Sequence, residues 1–192
     1  MKGFEQLLRQ NVENLFLVLR PPMGKRNLED IDVSFGFIFS AEPEHLYIVS
    51  SSRGEIKTPS LAIEKTPAEI LPWSDFYKNV FRWMNTEPAP EEMPLSKVEY
   101  YDVSSCSEFK NIVGSEVLSI EGISFHNSSL YFGTKINFDT DHIISTPIEE
   151  GNTTETLKFH NYNNLRKFEQ IGKIAFQELV PSSQDLDIHL TE

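Results

Sequence analysis

The chain has 192 residues, 39% of them hydrophobic and 24% charged, a composition that builds one compact unit or two small ones and excludes a disordered or fibrous protein. Its 17 Lys and Arg stand against 29 Asp and Glu, and a net charge of −12 repels phosphate backbones and anionic headgroups, so neither nucleic acid nor a membrane surface is an expected ligand. The longest uninterrupted apolar run, residues 15–19, covers five positions, against the ~18 to 20 that a membrane-spanning helix needs.

The predicted elements begin with a short helix in the Phe4-led segment FEQLLRQNVENLFLV. Residues 21–30, PPMGKRNLED, follow as a loop that carries Lys25 and Arg26. From Ile31 the odd positions Ile31, Val33, Phe35, Phe37 and Phe39 are apolar and alternate with Asp32, Ser34, Gly36 and Ser40, the period-two pattern of a half-buried strand broken only by Ile38. A second apolar run occupies residues 46–49, and TPSL leads to Leu61.

Thr66-Pro67-Ala68-Glu69 combines an N-cap threonine, a proline at the first helical position and a glutamate at the third, which predicts a helix start that Pro72 soon ends. From Ser74 onward Phe76, Tyr77, Val80, Phe81 and Met84 form one broad helical face, with Trp83 lying off it. Pro88, Pro90 and Pro94 with Glu87, Glu91 and Glu92 then make a stiff acidic connector. It divides the chain into a β-rich half with a closing helix (1–86), the connector (87–96), a second such half (97–180) and an acidic tail (181–192).

The second half repeats the first in pattern. FKNIVGSEVLSIEGI from Phe109 corresponds to the Phe4 segment; Leu130, Phe132, Thr134, Ile136 and Phe138 alternate with polar residues; Ile143-Ile144 and TTETL to Leu157 follow. Phe4 and Phe109 are 105 positions apart, as are Val12 and Val117, whereas Phe35 and Phe132 are 97 apart and Leu61 and Leu157 are 96 apart. The slippage places an insertion at residues 21–30, which have only the short turn 126–129 as a counterpart, and predicts an internal duplication. Leu165, Phe168, Gly172, Ala175 and Leu179 give a last helical stripe, with a strand as the alternative because Ile174 and Phe176 alternate. The fold class expected is α+β, a predominantly antiparallel sheet built from two related β-rich halves, each closed by a helix.

Cys106 is the only cysteine, so no internal disulfide forms and a reducing compartment is expected. Glu5 and Arg9 interrupt the stretch where a secretory peptide would be apolar, which places the expected location in the cytoplasm. The two N-x-S/T sequons, at Asn127 and Asn152, read as turn residues.

Candidate chemistry is sparse. With the strands running as a meander, His142 and His160 fall near one end beside Asp139 and Asp141, and His126 at the other; the four residues form a candidate ligand site, although histidines at a hairpin turn are ordinarily just surface groups. Asp139-Thr140-Asp141 matches a cation-binding D-x-D, but aspartate also favours turns for its own backbone hydrogen bonds. Cys106 in Ser104-Ser105-Cys106-Ser107 is the best nucleophile on offer if a helix begins there and lowers its thiol pKa. No Gly-rich phosphate loop, G-x-S-x-G or zinc-binding spacing is present, so no catalytic residue, metal or cofactor is expected.

The reading that remains is a non-catalytic protein that binds a basic protein partner through an acidic surface, in the manner of an immunity protein or antitoxin that inhibits a basic toxin. Trp83, Glu149, Glu150, Lys25 and Arg26 are the candidate partner surface. The competing class is an enzyme or small-ligand binder with its site between the two halves. Nothing in the sequence sets the oligomeric state.

Overall fold

The computed structural model describes residues 1–20, 31–52, 54–85, 98–149, 151–159 and 164–179, with the side chains of residues 83, 84 and 164 excepted. A single 3-10 turn, Phe4–Leu7, opens the chain. Four strands follow as an antiparallel meander: β1 (Val12–Arg20), β2 (Asp32–Phe39), β3 (Glu42–Ser51) and β4 (Pro59–Lys65). After a two-residue strand β5 (Leu71–Pro72), a 3-10 turn leads into helix α1 (Phe76–Asn85). Strand β6 (Glu99–Asp102) lies beyond the connector and pairs antiparallel with β1 and parallel with β5, so the first sheet runs β4-β3-β2-β1-β6-β5.

The second sheet has the same plan, although β6, which the sequence places in the second half (97–180), completes the first sheet. Strands β7 (Ser119–Phe125), β8 (Tyr131–Asn137), β9 (His142–Ile148) and β10 (Gly151–Glu155) form another antiparallel meander; helix α2 (Asn164–Ile171) follows, and β11 (Ile174–Glu178) returns antiparallel beside β7. The order β10-β9-β8-β7-β11 reproduces β4-β3-β2-β1-β6 strand for strand, and in each half a helix precedes the strand that returns to the first. The fold is α+β, with two mostly antiparallel sheets and few helices.

Three local expectations change. Residues 66–69 do not start a helix: the Thr66 hydroxyl donates to the Pro43 carbonyl and its amide to that of Glu44, and the chain stays extended to reach β5. The last helical stripe splits, because α2 ends before Gly172, and Ile174 and Phe176 continue as β11, the strand alternative. The Phe4 segment is helical for only that one 3-10 turn, since the β-favouring run from Val12 is claimed by β1, where it meets β2 on one side and β6 on the other. Around α1 the buried face is narrower than the sequence stripe: Phe76 and Val80 are buried, while Tyr77 and Phe81 are exposed.

The main core lies between the sheets. Leu15, Leu17, Phe35, Phe37, Val49 and Tyr101 from the first sheet meet Ile120, Ile136 and Ile143 from the second, with Phe109 at the centre and its ring 5.7 Å from that of Phe35 and 5.3 Å from that of Phe159. A second, smaller core of Phe16, Val18, Ile38, Leu46 and Ile48 occupies the other face of the first sheet. β2 is therefore buried on both faces, which is why Ile38 interrupts its alternation.

That second core follows from curvature. β4 and β5 stand at opposite edges of a six-stranded sheet, about 24 Å apart if it were flat. The chain passes from one to the other through residues 66–70, a reach of at most about 21 Å. The sheet must curl, and the Tyr100 hydroxyl on β6 accordingly donates to the Glu64 carboxylate on β4, 3.3 Å away across the opening. Gly36 lines the concave wall, where an added Cβ would lie 3.0 Å from Leu46 Cδ1 and 3.2 Å from Val18 Cγ2.

Candidate functional site

Of the histidine and aspartate cluster, Asp139, Asp141 and His142 are described, and His160 lies outside the described residues. Asp139 is exposed in the β8–β9 turn. Asp141 is 5% exposed and serves the backbone: its Oδ1 accepts from the His142 amide at 2.8 Å and the Leu157 amide at 3.1 Å, tying the start of β9 to the chain just beyond β10. Its Oδ2 has no hydrogen-bond partner. His142, next in an extended segment, turns to the opposite face and is half-buried there, so the two side chains diverge. His126 lies past the far end of β7, where its amide donates to the Lys173 carbonyl. Among the described residues no group of three His, Cys, Asp or Glu could hold a metal ion.

Cys106 is half-buried and packs against the main core. No helix starts there: Cys106 and Phe109 sit in successive turns, and the Ser107 hydroxyl donates to Glu108 instead of capping. Burial, then the nearby carboxylates of Glu108 and Asp102, push the thiol pKa up, the reverse of what a nucleophile needs.

Of the candidate partner surface, Lys25, Arg26 and Glu150 lie outside the described residues. The backbone of Trp83 belongs to α1. Glu149 is exposed, and its carbonyl, with that of Ile148, accepts from Lys57 Nζ of the other half.

Four polar arrangements carried no sequence signal. The first is Asn152, which is fully buried in β10 rather than placed in a turn. Its Oδ1 accepts from the Ser51 hydroxyl at 2.8 Å and the Ser145 hydroxyl at 2.9 Å, while its Nδ2 donates to the Val33 carbonyl at 2.9 Å and the Thr153 carbonyl at 3.2 Å. Its amide donates to Asp32 Oδ1 at 3.1 Å, so one side chain and one amide bind the two halves together. The second lies in the hairpin between β2 and β3, where Glu42 accepts from the Tyr47 hydroxyl and lies 3.2 Å from His45 Nδ1. Burial, then the hydrogen bond and negative charge of Glu42, push the Tyr47 pKa up to about 12.

The third is a network beneath α1. Tyr101 is fully buried, donates its hydroxyl to Glu99 at 2.5 Å and accepts from Asn79 Nδ2 at 2.7 Å, and burial raises its pKa. Glu99 in turn lies 3.5 Å from Arg82 Nη2. The fourth is a row on the outer face of the second sheet, where Glu121 pairs with Lys135 at 3.3 Å and accepts from Asn137 at 2.8 Å, and Lys135 stands 5.5 Å from the centre of the Phe176 ring.

Two grooves open among the described residues. One, of about 330 Å³, opens where the β4–β5 crossing passes the edge of the curled sheet, and Pro67, Ala68, Glu69, Leu71, Val98, Glu99 and Tyr100 line it. The other, of about 380 Å³, lies between Met1, Lys2, Thr58 and Pro59 of the first half and Ser129, Leu130 and Tyr131 of the second. Both fall at the small end of the size range of ligand pockets, ~300 to 1,000 Å³. Among the described residues no helix is long and apolar enough to cross a membrane. The chain matches no protein-family model, no curated protein and no solved structure.

Proposed function

We propose that this protein is a non-catalytic binding protein that engages a basic protein partner through its acidic surface, as an immunity or antitoxin-type inhibitor of a basic toxin would. The observation that carries the reading is how the carboxylates are deployed. Glu13, Glu44, Glu55, Glu64 and Glu69 of the first half and Glu108, Asp139, Glu149, Glu169 and Glu178 of the second all stand exposed, so much of the charge faces outward, while Asp32, Glu42, Glu99, Glu121 and Asp141 are committed to hydrogen bonds within the fold. Charge held at a surface raises the rate of encounter with an oppositely charged partner and selects against partners of like sign. The cytoplasm, where such an inhibitor would meet an internal target, is the location that accompanies this reading.

Affinity capture from the native host at low and at moderate salt, with mass spectrometry of the bound fraction and titration of the purified pair, tests it. The expected result is one stoichiometric basic protein whose affinity falls as salt rises. An acidic or neutral partner bound without salt dependence would overturn the proposal. The second reading, an enzyme or small-ligand binder with a site between the halves, draws its support from the groove of about 380 Å³ formed by residues of both. A small molecule that raises the unfolding temperature and loses that effect on Tyr131→Ala would favour it.

A further inference from the structure

The two sheets end differently. Beside β6 the first sheet carries β5, whose Leu71 pairs with Tyr101, whereas β11, the counterpart of β6, has no strand beyond it among the described residues. At the other end of the second sheet, β10 is tied to the first half through Asn152 and Asp32. The register shows what the open edge of β11 presents. The His126 amide donates to the Lys173 carbonyl and the Leu179 amide to that of Ile120, so the odd residues of β11 bond to β7, and the N–H and C=O groups of Ile174, Phe176 and Glu178 point outward from the sheet.

Such an edge is ordinarily guarded by a proline, a bulge or a charge directed into it. β11 pairs with β7 without a bulge, and its central residues are Ala175 and Phe176, the latter exposed on the outer face beside Lys135. Period two puts Ile174 on the same face as Phe176. The edge thus offers a backbone ladder and an apolar row together, the two features by which an extended segment is recognised.

The chain itself supplies a matching segment. Residues 180–192 follow Leu179 and lie outside the described residues. In sequence, Leu186, Ile188 and Leu190 alternate with Asp187 and His189, after Pro181, Ser182 and Ser183, residue types that favour a turn. With Leu186 opposite Phe176 and Ile188 opposite Ile174, the connection is residues 179–183, a hairpin length, and the two apolar rows share one face. Asp187 then falls diagonal to Lys173, which is exposed and has no ion pair among the described residues. A second copy is the poorer occupant, because each chain carries −12 and a strand on the same chain acts at an effective concentration on the order of millimolar.

We propose that residues 184–190 add to the open edge of β11 as an antiparallel strand, so that the chain caps its own second sheet as β5 caps the first. The inference is independent of the acidic-surface reading and goes beyond it. Amide exchange of the ¹⁵N-labelled full chain tests it. The Ile174, Phe176 and Glu178 amides are expected to exchange at least about tenfold more slowly than in the Ile188→Asp variant, which puts a charge in the apolar row, while the Ala175, Gln177 and Leu179 amides exchange alike in both.

Asp187→Lys is expected to reduce the protection of the three amides about threefold, and Lys173→Glu added to it to restore the protection. Equal exchange of the three amides in the natural chain and in Ile188→Asp would overturn the proposal. Protection that falls on dilution of the natural chain would also overturn it, by making a second copy the occupant of the edge.

Discussion

The two halves share strand order but not the use of their sheets. The first sheet curls until the Tyr100 side chain of β6 reaches Glu64 of β4, so its central strands carry apolar side chains on both faces and enclose a second core of Phe16, Val18, Ile38, Leu46 and Ile48. The second sheet sets Asn152, Thr154, Ser145 and Thr134 toward the first half, and on its outer face Lys135 and Glu121 stand where the first sheet has buried aliphatics. One plan thus gives, in one copy, a curled sheet with an additional core of its own and, in the other, a sheet whose polar face is completed by its neighbour. The comparison teaches that strand order is the robust part of such a pattern, and that the polarity of one row of residues decides whether a sheet closes on itself or leans on its partner.

Cutting the polar bond between the halves tests this most severely. Asn152→Ala leaves the Val33 carbonyl and the Ser51 and Ser145 hydroxyls without their buried partner, and is expected to cost about 3 kcal/mol or more. Urea unfolding measures it, and a loss below about 1 kcal/mol would mean that the apolar core alone couples the halves.

The matched glycines Gly36 and Gly133 sharpen the comparison. A Cβ on Gly133 would lie 2.8 Å from the Ser145 backbone oxygen, which cannot step aside, whereas on Gly36 it meets the Leu46 and Val18 side chains at 3.0 and 3.2 Å. Gly133→Ala is therefore expected to cost about 2 kcal/mol and Gly36→Ala about 1 kcal/mol by thermal or urea unfolding. A reversed order would place the tighter constraint in the curled sheet.

A smaller effect should appear at alkaline pH. Because the folded state holds the Tyr47 pKa at about 12, above its ordinary 10.0, the associated stability is complete below pH 10 and is lost as pH rises toward 12. Tyr47→Phe is expected to cost about 1 kcal/mol at pH 8 and less at pH 12, read from urea midpoints. A difference that stays constant with pH would exclude the Glu42 bond as its source. The smallest effect on the fold is expected at Cys106, where Cys106→Ser should leave stability within about 1 kcal/mol and iodoacetamide should modify the native thiol more slowly than the unfolded one at pH 7.5.

Much of the scaffold was legible because strands declare themselves by alternation. The strands at Asp32–Phe39 and Tyr131–Asn137 and the α1 stripe at Phe76 and Val80 were readable, but the half-buried face expected from Ile31 onward was not: β2 is buried on both faces, and Leu130, read as part of the second apolar face, stands exposed before β8. Thr66-Pro67-Ala68-Glu69 misled because local capping chemistry was overridden by the demand that this segment cross from β4 to β5. The candidate site was far less legible. Asn152 carries a modification sequon and a turn-like neighbourhood, and only the register that places it between Ser51 and Val33 reveals its role. The groove at Glu69 and Glu99 brings together residues thirty positions apart through sheet curvature, which leaves no periodic trace in the chain. Asp141 was singled out for its side-chain chemistry, yet Oδ1 is committed to the two amides it caps.

The position of β6 sets an order of events during synthesis. β1 needs β6 along its open edge, and the Arg9 and Val12 amides need the Val117 and Ser115 carbonyls, yet these partners leave the ribosome long after β1 does. A nascent chain that has emerged only as far as α1 carries a bare β1 edge of apolar residues and waits for the connector to pass before the first sheet can be sealed. Protection of the Leu17 and Leu19 amides from solvent exchange should therefore arrive late, after residues 99–102 have cleared the exit tunnel, and a release at the connector should yield a sticky fragment instead of a folded half.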